Sequence, residues 1–119
     1  MISAVIITYN EERIISRSID SLKRVVDEII IIDSFSTDRT IEICKEKGAV
    51  VWQNKFEGYK TQKHFAATKA KHEWILSVDA DEVLSNELIN SLLEWRKNQK
   101  YSNDLSSQSL QPAGYFVSR

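Results

Sequence analysis

The stretch Glu28-Ile29-Ile30-Ile31-Ile32-Asp33 decides the fold class, because four consecutive isoleucines lead directly into a polar run. That run, Ser34 to Asp38, is made of residues that favour turns and helix caps. A short β-branched run without polar alternation is typical of a strand covered on both faces, as in a parallel sheet. We therefore predict a buried strand that ends on a polar loop.

Further strands and helices alternate along the chain on either side of this strand. Strands are predicted at Ile2–Thr8, Ala49–Trp52 and Trp74–Val78, and helices at 10–26, 37–47, 60–71 and from Ser85 onward. Asn10 is a candidate N-cap for the first helix, and Gly48 a candidate C-terminal cap for the second. This order predicts right-handed crossovers and an α/β domain of Rossmann-like type, with a largely parallel sheet and helices on both faces.

The composition is that of one soluble globular domain. The 119 residues are 42% hydrophobic and 28% charged, and 16 basic against 17 acidic residues leave a net charge of -1. That balance provides no global field for nucleic acid, which we exclude as a partner. Cys44 is the single cysteine, so we predict no disulfide and interpret this residue as a small buried hydrophobe.

No apolar run approaches the roughly 18 to 20 residues of a membrane span, and no basic region precedes a signal-peptide core. We expect a cytoplasmic protein, with a position at the inner face of the membrane left open for the parent enzyme. Residues 98–112 are rich in Ser, Asn and Gln, whereas 113–119 resemble the opening of a strand. The expected organisation is an α/β domain at 1–97, a polar loop or linker at 98–112 and the start of a further strand at 113–119, with the parent chain truncated at Arg119.

Polar clusters follow three of the predicted strands. They begin at Thr8, Asp33 and Asp79, and the last reads Asp79-Ala80-Asp81-Glu82. Parallel sheets bind ligands at the carboxyl ends of their strands, so these loops are expected to share one pocket. Two carboxylates separated by one small residue suit a hard cation that also binds phosphate oxygens. The alternative is that Asp79 and Asp81 only end a strand and cap a turn.

Three motifs closely resemble family 2 glycosyltransferases. They are Ile6-Ile7-Thr8-Tyr9-Asn10-Glu11-Glu12, Ile32-Asp33-Ser34-Phe35-Ser36-Thr37-Asp38-Arg39-Thr40 and Leu76-Ser77-Val78-Asp79-Ala80-Asp81-Glu82. The stretch Gln62-Lys63-His64-Phe65-Ala66 is similar to a segment of bacterial transferases that add a glucose-like sugar to lipopolysaccharide core or related glycans. The resemblance implies a GT-A fold with a DXD motif, and a role in building cell-envelope polysaccharide.

The resemblance also implies roles for the nucleotide-binding residues. Thr8 and Tyr9 would line the base pocket, with the Tyr9 ring packed on uracil and Glu11 nearby. Asp33 would accept a hydrogen bond from the base imide; its alternative role is a helix cap.

On the same grounds, Asp79 would bind the ribose or approach the metal, and Asp81 would coordinate Mn²⁺ or Mg²⁺ between the two phosphates. Lys63 would add a compensating positive charge, unless it is an ordinary solvated lysine on a helix face.

The activity implied is an EC 2.4 type of reaction: metal-dependent transfer of a sugar, with inversion, from a nucleotide-diphospho-sugar such as a UDP-sugar to a glycan or lipid-linked acceptor. The catalytic residue is unknown, because the family's general base would lie beyond Arg119, in the missing acceptor-side region. We therefore expect this chain to bind the donor better than it transfers sugar.

Other readings remain open at this point. The chain could be a non-catalytic remnant that binds a nucleotide, or a receiver-like signalling domain, which has a similar length and clustered acids. An exposed sheet edge could drive homo-oligomerisation. We interpret the aromatic residues Trp52, Phe56 and Tyr59 as packing residues rather than sugar contacts.

Overall fold

The computed structural model describes residues 1–99 and 116–118. In these ranges it contains five strands and four helices, in the order β1 (Ile2–Thr8), α1 (Ile15–Leu22), β2 (Glu28–Asp33), α2 (Thr40–Glu46), β3 (Val50–Gln53), α3 (Tyr59–Lys69), β4 (Trp74–Asp79), α4 (Asn86–Gln99) and β5 (Phe116–Ser118).

All five strands form one sheet in the order β3-β2-β1-β4-β5. The first four are parallel, and β5 pairs antiparallel with β4. At the carboxyl edge, Thr8 lies opposite Asp33 on one side of β1, and Ile7 lies opposite Asp79 on the other. The predicted α/β class with a largely parallel sheet is confirmed.

Helices cover both faces of the sheet, which explains the uninterrupted isoleucine run. α1, α2 and α4 pack on one face, where Ile19, Cys44 and Leu92 join the cluster that contains Ile31. α3 packs on the other face, where Ala66 meets Ile30. Since successive strand residues point to opposite faces, an apolar residue is required at every position, and each buried isoleucine contributes about 1.5–3 kcal/mol.

The structure corrects one predicted cap and confirms the other. α1 begins at Ile15, and no side chain caps it. The Asn10 side chain instead accepts a hydrogen bond from Thr37 N in the neighbouring loop, so the prediction that Asn10 caps α1 is wrong. Gly48 follows α2 with φ 86°, as expected for a C-terminal glycine cap.

The α4 helix extends to Gln99, two residues past the predicted domain boundary at 97. The rest of the predicted linker, 100–112, lies outside the described residues, and β5 falls within the range 113–119. In the part of the chain that the structure describes, no helix combines the length and the apolar character that crossing a bilayer requires.

Candidate functional site

The site residues predicted from the sequence lie at or near the carboxyl edge of the sheet. β1 is flanked by β2 on one side and by β4 on the other, so the strand order reverses beside β1. Open parallel sheets bind ligands in the crevice at such a switch point, because the adjoining loops leave in opposite directions. The candidate site is therefore formed by the loops that follow β1 to β4 and by the start of α3.

The loops after β1 and β2 are joined by hydrogen bonds. The Asn10 side-chain oxygen accepts from Thr37 N at 2.8 Å, and Asn10 N donates to Ser36 Oγ at 2.8 Å. Glu11 N donates to Thr40 Oγ1, also at 2.8 Å. Asn10 has φ 52°, a conformation that asparagine tolerates better than most residues. The loop that carries Glu11 is therefore held in place by the loop after β2 and by Thr40, the first residue of α2.

Asp33 is fully buried beneath these loops. Its carboxylate accepts hydrogen bonds from Thr8 Oγ1 at 2.7 Å, from Ser36 Oγ at 2.6 Å and from Ser36 N at 2.7 Å. α2 begins only at Thr40, so Asp33 does not cap that helix. In this structure Asp33 joins the ends of two strands and lines neither of the cavities described below. Its contact with a base stays a prediction.

A cavity of about 420 Å³ opens between the loops after β1, β2 and β3. Its walls are mainly apolar and include four aromatic side chains: Tyr9, Phe35, Phe56 and Tyr59. All four are exposed, by 56%, 54%, 44% and 69% respectively, and the rings of Phe56 and Tyr59 meet edge to face with centroids 5.1 Å apart. Grouped exposed aromatics are typical of a ligand or partner site. Phe56 and Tyr59 are therefore not core residues, although their rings pack against each other, and a contact of either ring with a ligand stays a prediction.

A second cavity, of about 490 Å³, lies between the loop after β1 and the loop after β4. Its charged lining consists of Glu11, Lys63, Asp79 and Asp81. The two cavities adjoin, because Ile7, Glu11 and Tyr59 line both of them. The structure thus brings an aromatic compartment next to a charged one.

Two serines of α1 hold the acidic loop after β4. Ser18 Oγ donates to the Ala80 carbonyl at 2.7 Å, and Leu84 N donates to Ser21 Oγ at 3.1 Å. These bonds are buried and fix the backbone on both sides of Asp81. Neither serine was predicted from the sequence to have a role, although both lie on the same buried stripe of α1 as Ile15, Ile19 and Leu22.

A turn leaves the two aspartates of this loop facing outward. Glu82 Oε1 accepts from Asp79 N at 2.9 Å, and Glu82 N donates to the Asp79 carbonyl at 3.0 Å. The side chain of Glu82 is therefore engaged within the turn, whereas Asp79 and Asp81 are exposed.

Burial and neighbouring carboxylates disfavour the ionised form of Glu11, which lines the charged cavity. Partial burial, followed by the charges of Asp81 and Asp38, raises the pKa of Glu11 above its usual 4.5. Desolvation also raises the pKa of Asp38, but hydrogen bonds from Thr40 and from Glu12 N outweigh it and lower the pKa below 3.8. Asp38 therefore stays ionised and adds to the repulsion that a cation at this site would relieve.

The carboxylate oxygens in this cavity suit a hard cation that takes only some of its ligands from the protein. Among the described residues, no three His, Cys, Asp or Glu side chains are grouped as a metal-ion site. Asp79 and Asp81 offer carboxylate oxygens, and Mg²⁺ in particular is commonly held by one or two carboxylates together with substrate phosphates and water. The residues present fit an ion that completes its ligands from a bound diphosphate.

Cys44 takes no part in this site. It is fully buried in the core on the α1 face, and burial, followed by the charge of Asp33, raises its thiol pKa to about 12. Its interpretation as a small buried hydrophobe is confirmed.

Residues 3–107 match the family model described as glycosyl transferase family 2. An uncharacterized glycosyltransferase of Rickettsia bellii is 52% identical over 87 residues, which cover 73% of this chain and 30% of the relative. The lipopolysaccharide core biosynthesis glycosyltransferase LpsC of Rhizobium meliloti is 38% identical over 98 residues, which cover 78% of this chain and 36% of LpsC. The chain thus spans about a third of the length of these relatives.

Solved structures share the fold. TarS of S. aureus, residues 1–349, superposes with a TM-score of 0.63 at 22% identity, over 83% of this chain and 33% of TarS. Glucosyl-3-phosphoglycerate synthase of Mycobacterium tuberculosis, solved with Mn²⁺, UDP-glucose and phosphoglyceric acid, superposes with a TM-score of 0.61 at 27% identity, over 67% of this chain and 33% of the synthase.

Proposed function

The chain belongs to glycosyl transferase family 2, and on that premise we propose that it holds the donor of an enzyme that transfers a sugar from a UDP-sugar to a glycan or lipid-linked acceptor. Family membership confirms the resemblance seen in the sequence motifs and decides against a receiver-like domain. The GT-A type of fold expected from that resemblance is confirmed by the solved structures.

The observation that carries the proposal is the pair of adjoining cavities with opposite chemistry. UDP has a flat, uncharged base at one end and an anionic diphosphate at the other. The aromatic cavity suits the base, and the cavity with Lys63 and Asp81 suits a diphosphate together with a cation. Glu11, which lines both cavities, lies where the ribose joins the two ends.

In the aromatic cavity, Thr8 and Tyr9 line the base pocket, and the Tyr9 ring packs on uracil. For Asp33 to accept the imide N–H of the base, its carboxylate, which is buried and lines neither cavity in the free chain, has to become exposed to the base on binding; the acceptor is then Oδ2. This oxygen receives one hydrogen bond in the free chain, from Ser36 N, and a carboxylate oxygen can accept two. Because cytosine has no imide N–H, this contact favours uracil.

In the charged cavity, Asp79 binds the ribose or approaches the cation, and Asp81 coordinates Mn²⁺ or Mg²⁺. When bound, such an ion neutralises charge on the departing diphosphate. Lys63 adds positive charge beside the phosphates from α3, and its position in the cavity lining supports this role over that of a solvated surface lysine.

Two relatives support the donor and the acceptor class. The Mycobacterium synthase, at 27% identity, was solved with Mn²⁺ and UDP-glucose, which supports a UDP-sugar donor and a divalent cation here. LpsC acts in lipopolysaccharide core biosynthesis, which supports an acceptor among bacterial cell-envelope glycans.

The proposed reaction is a displacement with inversion. The acceptor hydroxyl oxygen forms a bond to the anomeric carbon while the bond from that carbon to the UDP oxygen breaks, and the hydroxyl proton passes to a carboxylate base. We assign that base to no residue of this chain, since Asp104 matches no motif and lies outside the described residues.

Calorimetric titration of UDP into the purified chain, first with Mn²⁺ and then with EDTA, tests the proposal. We expect binding with Mn²⁺, loss of most affinity with EDTA, and weaker binding of CDP than of UDP. Absence of UDP binding under both conditions would contradict the donor-site assignment. Equal affinities for UDP and CDP would contradict only the base contact of Asp33.

A further inference from the structure

Phe35 has a backbone conformation that phenylalanine rarely adopts. Its φ is 59°, in the left-handed region where Cβ crowds the backbone and where glycine fits without strain. Among the described residues, Asn10 is the other non-glycine residue with a positive φ, and asparagine tolerates this region. Phe35 therefore carries strain that glycine at the same position would not.

Core packing does not account for a phenylalanine at this position. The side chain is 54% exposed, and it belongs to neither of the two apolar clusters that hold the sheet to its helices. A glycine at residue 35 would leave both clusters intact, so the benefit of the ring has to lie elsewhere.

The hydrogen bonds of the loop enforce the strained backbone. The next residue, Ser36, donates to the buried Asp33 carboxylate through both its N and its Oγ, and Ser36 Oγ accepts from Asn10 N. Residue 35 lies between these anchors and has little freedom to relax. Residues that their surroundings hold in a strained backbone conformation are concentrated at active sites and ligand-binding sites.

The exposed ring of Phe35 lines the aromatic cavity together with Tyr9, Phe56 and Tyr59. We propose that Phe35 is a donor-binding residue, whose ring packs against the nucleotide base as a further aromatic wall of this cavity. The inference rests on the proposed function, since it needs a base in the cavity. Its consequence is a conflict between stability and binding at one position: glycine at residue 35 makes the chain more stable and a poorer binder.

Three variants separate the ring from the strain. Phe35→Gly removes both, Phe35→Ala removes the ring and keeps the strain, and Phe35→Tyr keeps both. We expect the glycine and alanine variants to bind UDP with Mn²⁺ about tenfold more weakly, within the range for base–aromatic stacking, and the tyrosine variant to bind as the original chain does. Only Phe35→Gly should raise the Tm, by about 2–6 °C.

Inorganic pyrophosphate with Mn²⁺ is the control ligand, because it has a diphosphate but no base. The original chain and the three variants should all bind it with the same affinity. Undiminished UDP affinity in Phe35→Gly and Phe35→Ala would overturn the inference while the proposed function stands. Equal losses for UDP and pyrophosphate would also overturn it, since they would indicate a disturbed loop. If the original chain binds no UDP, both the proposed function and this inference fail.

Discussion

The hydroxyl of Thr8 donates a 2.7 Å hydrogen bond to the carboxylate of Asp33, and the two residues face each other at the ends of β1 and β2. They are 1% and 0% exposed. A bond to a charged acceptor that is shielded from water stabilises more than a surface bond does. This bond also fixes the point from which two of the three loops around the aromatic cavity depart, those after β1 and β2.

Thr8→Val removes this donor and keeps the side-chain shape. We expect the free energy of unfolding to fall by about 1–3 kcal/mol and the UDP affinity to fall with it, because the loop that carries Tyr9 loses support. Urea denaturation followed by tryptophan fluorescence measures the first effect and calorimetry the second. Thr8→Ser retains the hydroxyl and serves as the control; an equal loss in this variant would show that the methyl group, rather than the bond, is responsible.

Asp81→Asn should abolish the Mn²⁺ dependence of UDP binding. Because the carboxylate is exposed, we expect the free energy of unfolding to change by no more than about 0.5 kcal/mol. Titrations of UDP with Mn²⁺ and with EDTA provide the measurement. Glu87→Gln, an equal change of charge at an exposed position of α4, is the control. Unaltered Mn²⁺ dependence in Asp81→Asn would refute the metal assignment.

Ser18→Ala should make the acidic loop after β4 less firmly held, because it removes a hydrogen bond from α1 to the backbone of that loop. The Ala80 carbonyl would lose its buried partner, so we expect the free energy of unfolding to fall by about 1–2 kcal/mol. UDP affinity with Mn²⁺ should also fall, because Asp79 and Asp81 flank Ala80. Ser16→Ala on the same helix, outside this contact, should change neither quantity. A Ser18 variant that loses stability but binds UDP normally would limit the serine to a structural role.

Asp27→Asn tests an ion pair at the opposite edge of the sheet, where Asp27 accepts from Arg96 at 2.6 Å and from Ile2 N at 2.7 Å. Desolvation raises the pKa of Asp27, but these bonds and the charge of Arg96 outweigh it and lower the pKa below 3.8. A lowered folded pKa gives stability that is present above the unfolded value and is lost as the pH falls through the folded value.

We therefore expect Asp27→Asn to reduce the free energy of unfolding at pH 7 by about 1 kcal/mol or less, since solvent screens the pair. The difference in the free energy of unfolding between this variant and the original chain should disappear as the pH falls below 3.8. Urea denaturation over a range of pH measures this difference, with Glu87→Gln at an exposed position of α4 as the control. A difference that stays constant with pH would show that ionisation of Asp27 is not its cause.

The strands and the parallel sheet could be predicted from the sequence because they depend on local pattern. The isoleucine run at 29–32 admits few arrangements other than a strand covered on both faces, and the predicted strand bounds agree with the structure to within about one residue. The bounds of α1 were harder to predict: the sequence pattern suggested a helix over 10–26, whereas the helix begins at Ile15 and ends at Leu22. Asn10 looks like a cap in sequence, and only the neighbouring loop shows that its side chain has another partner.

The sequence by itself determined the α/β class, the family and the three strand ends that carry polar side chains, because each of these is a property of contiguous residues. Only the tertiary structure decided which side chains meet in the site. Ser18 reaches Ala80, and Phe35 lines one cavity with Tyr59, across separations in sequence that no local pattern encodes. The physical reason is that these contacts depend on how the helices lie on the sheet and on where its strand order reverses.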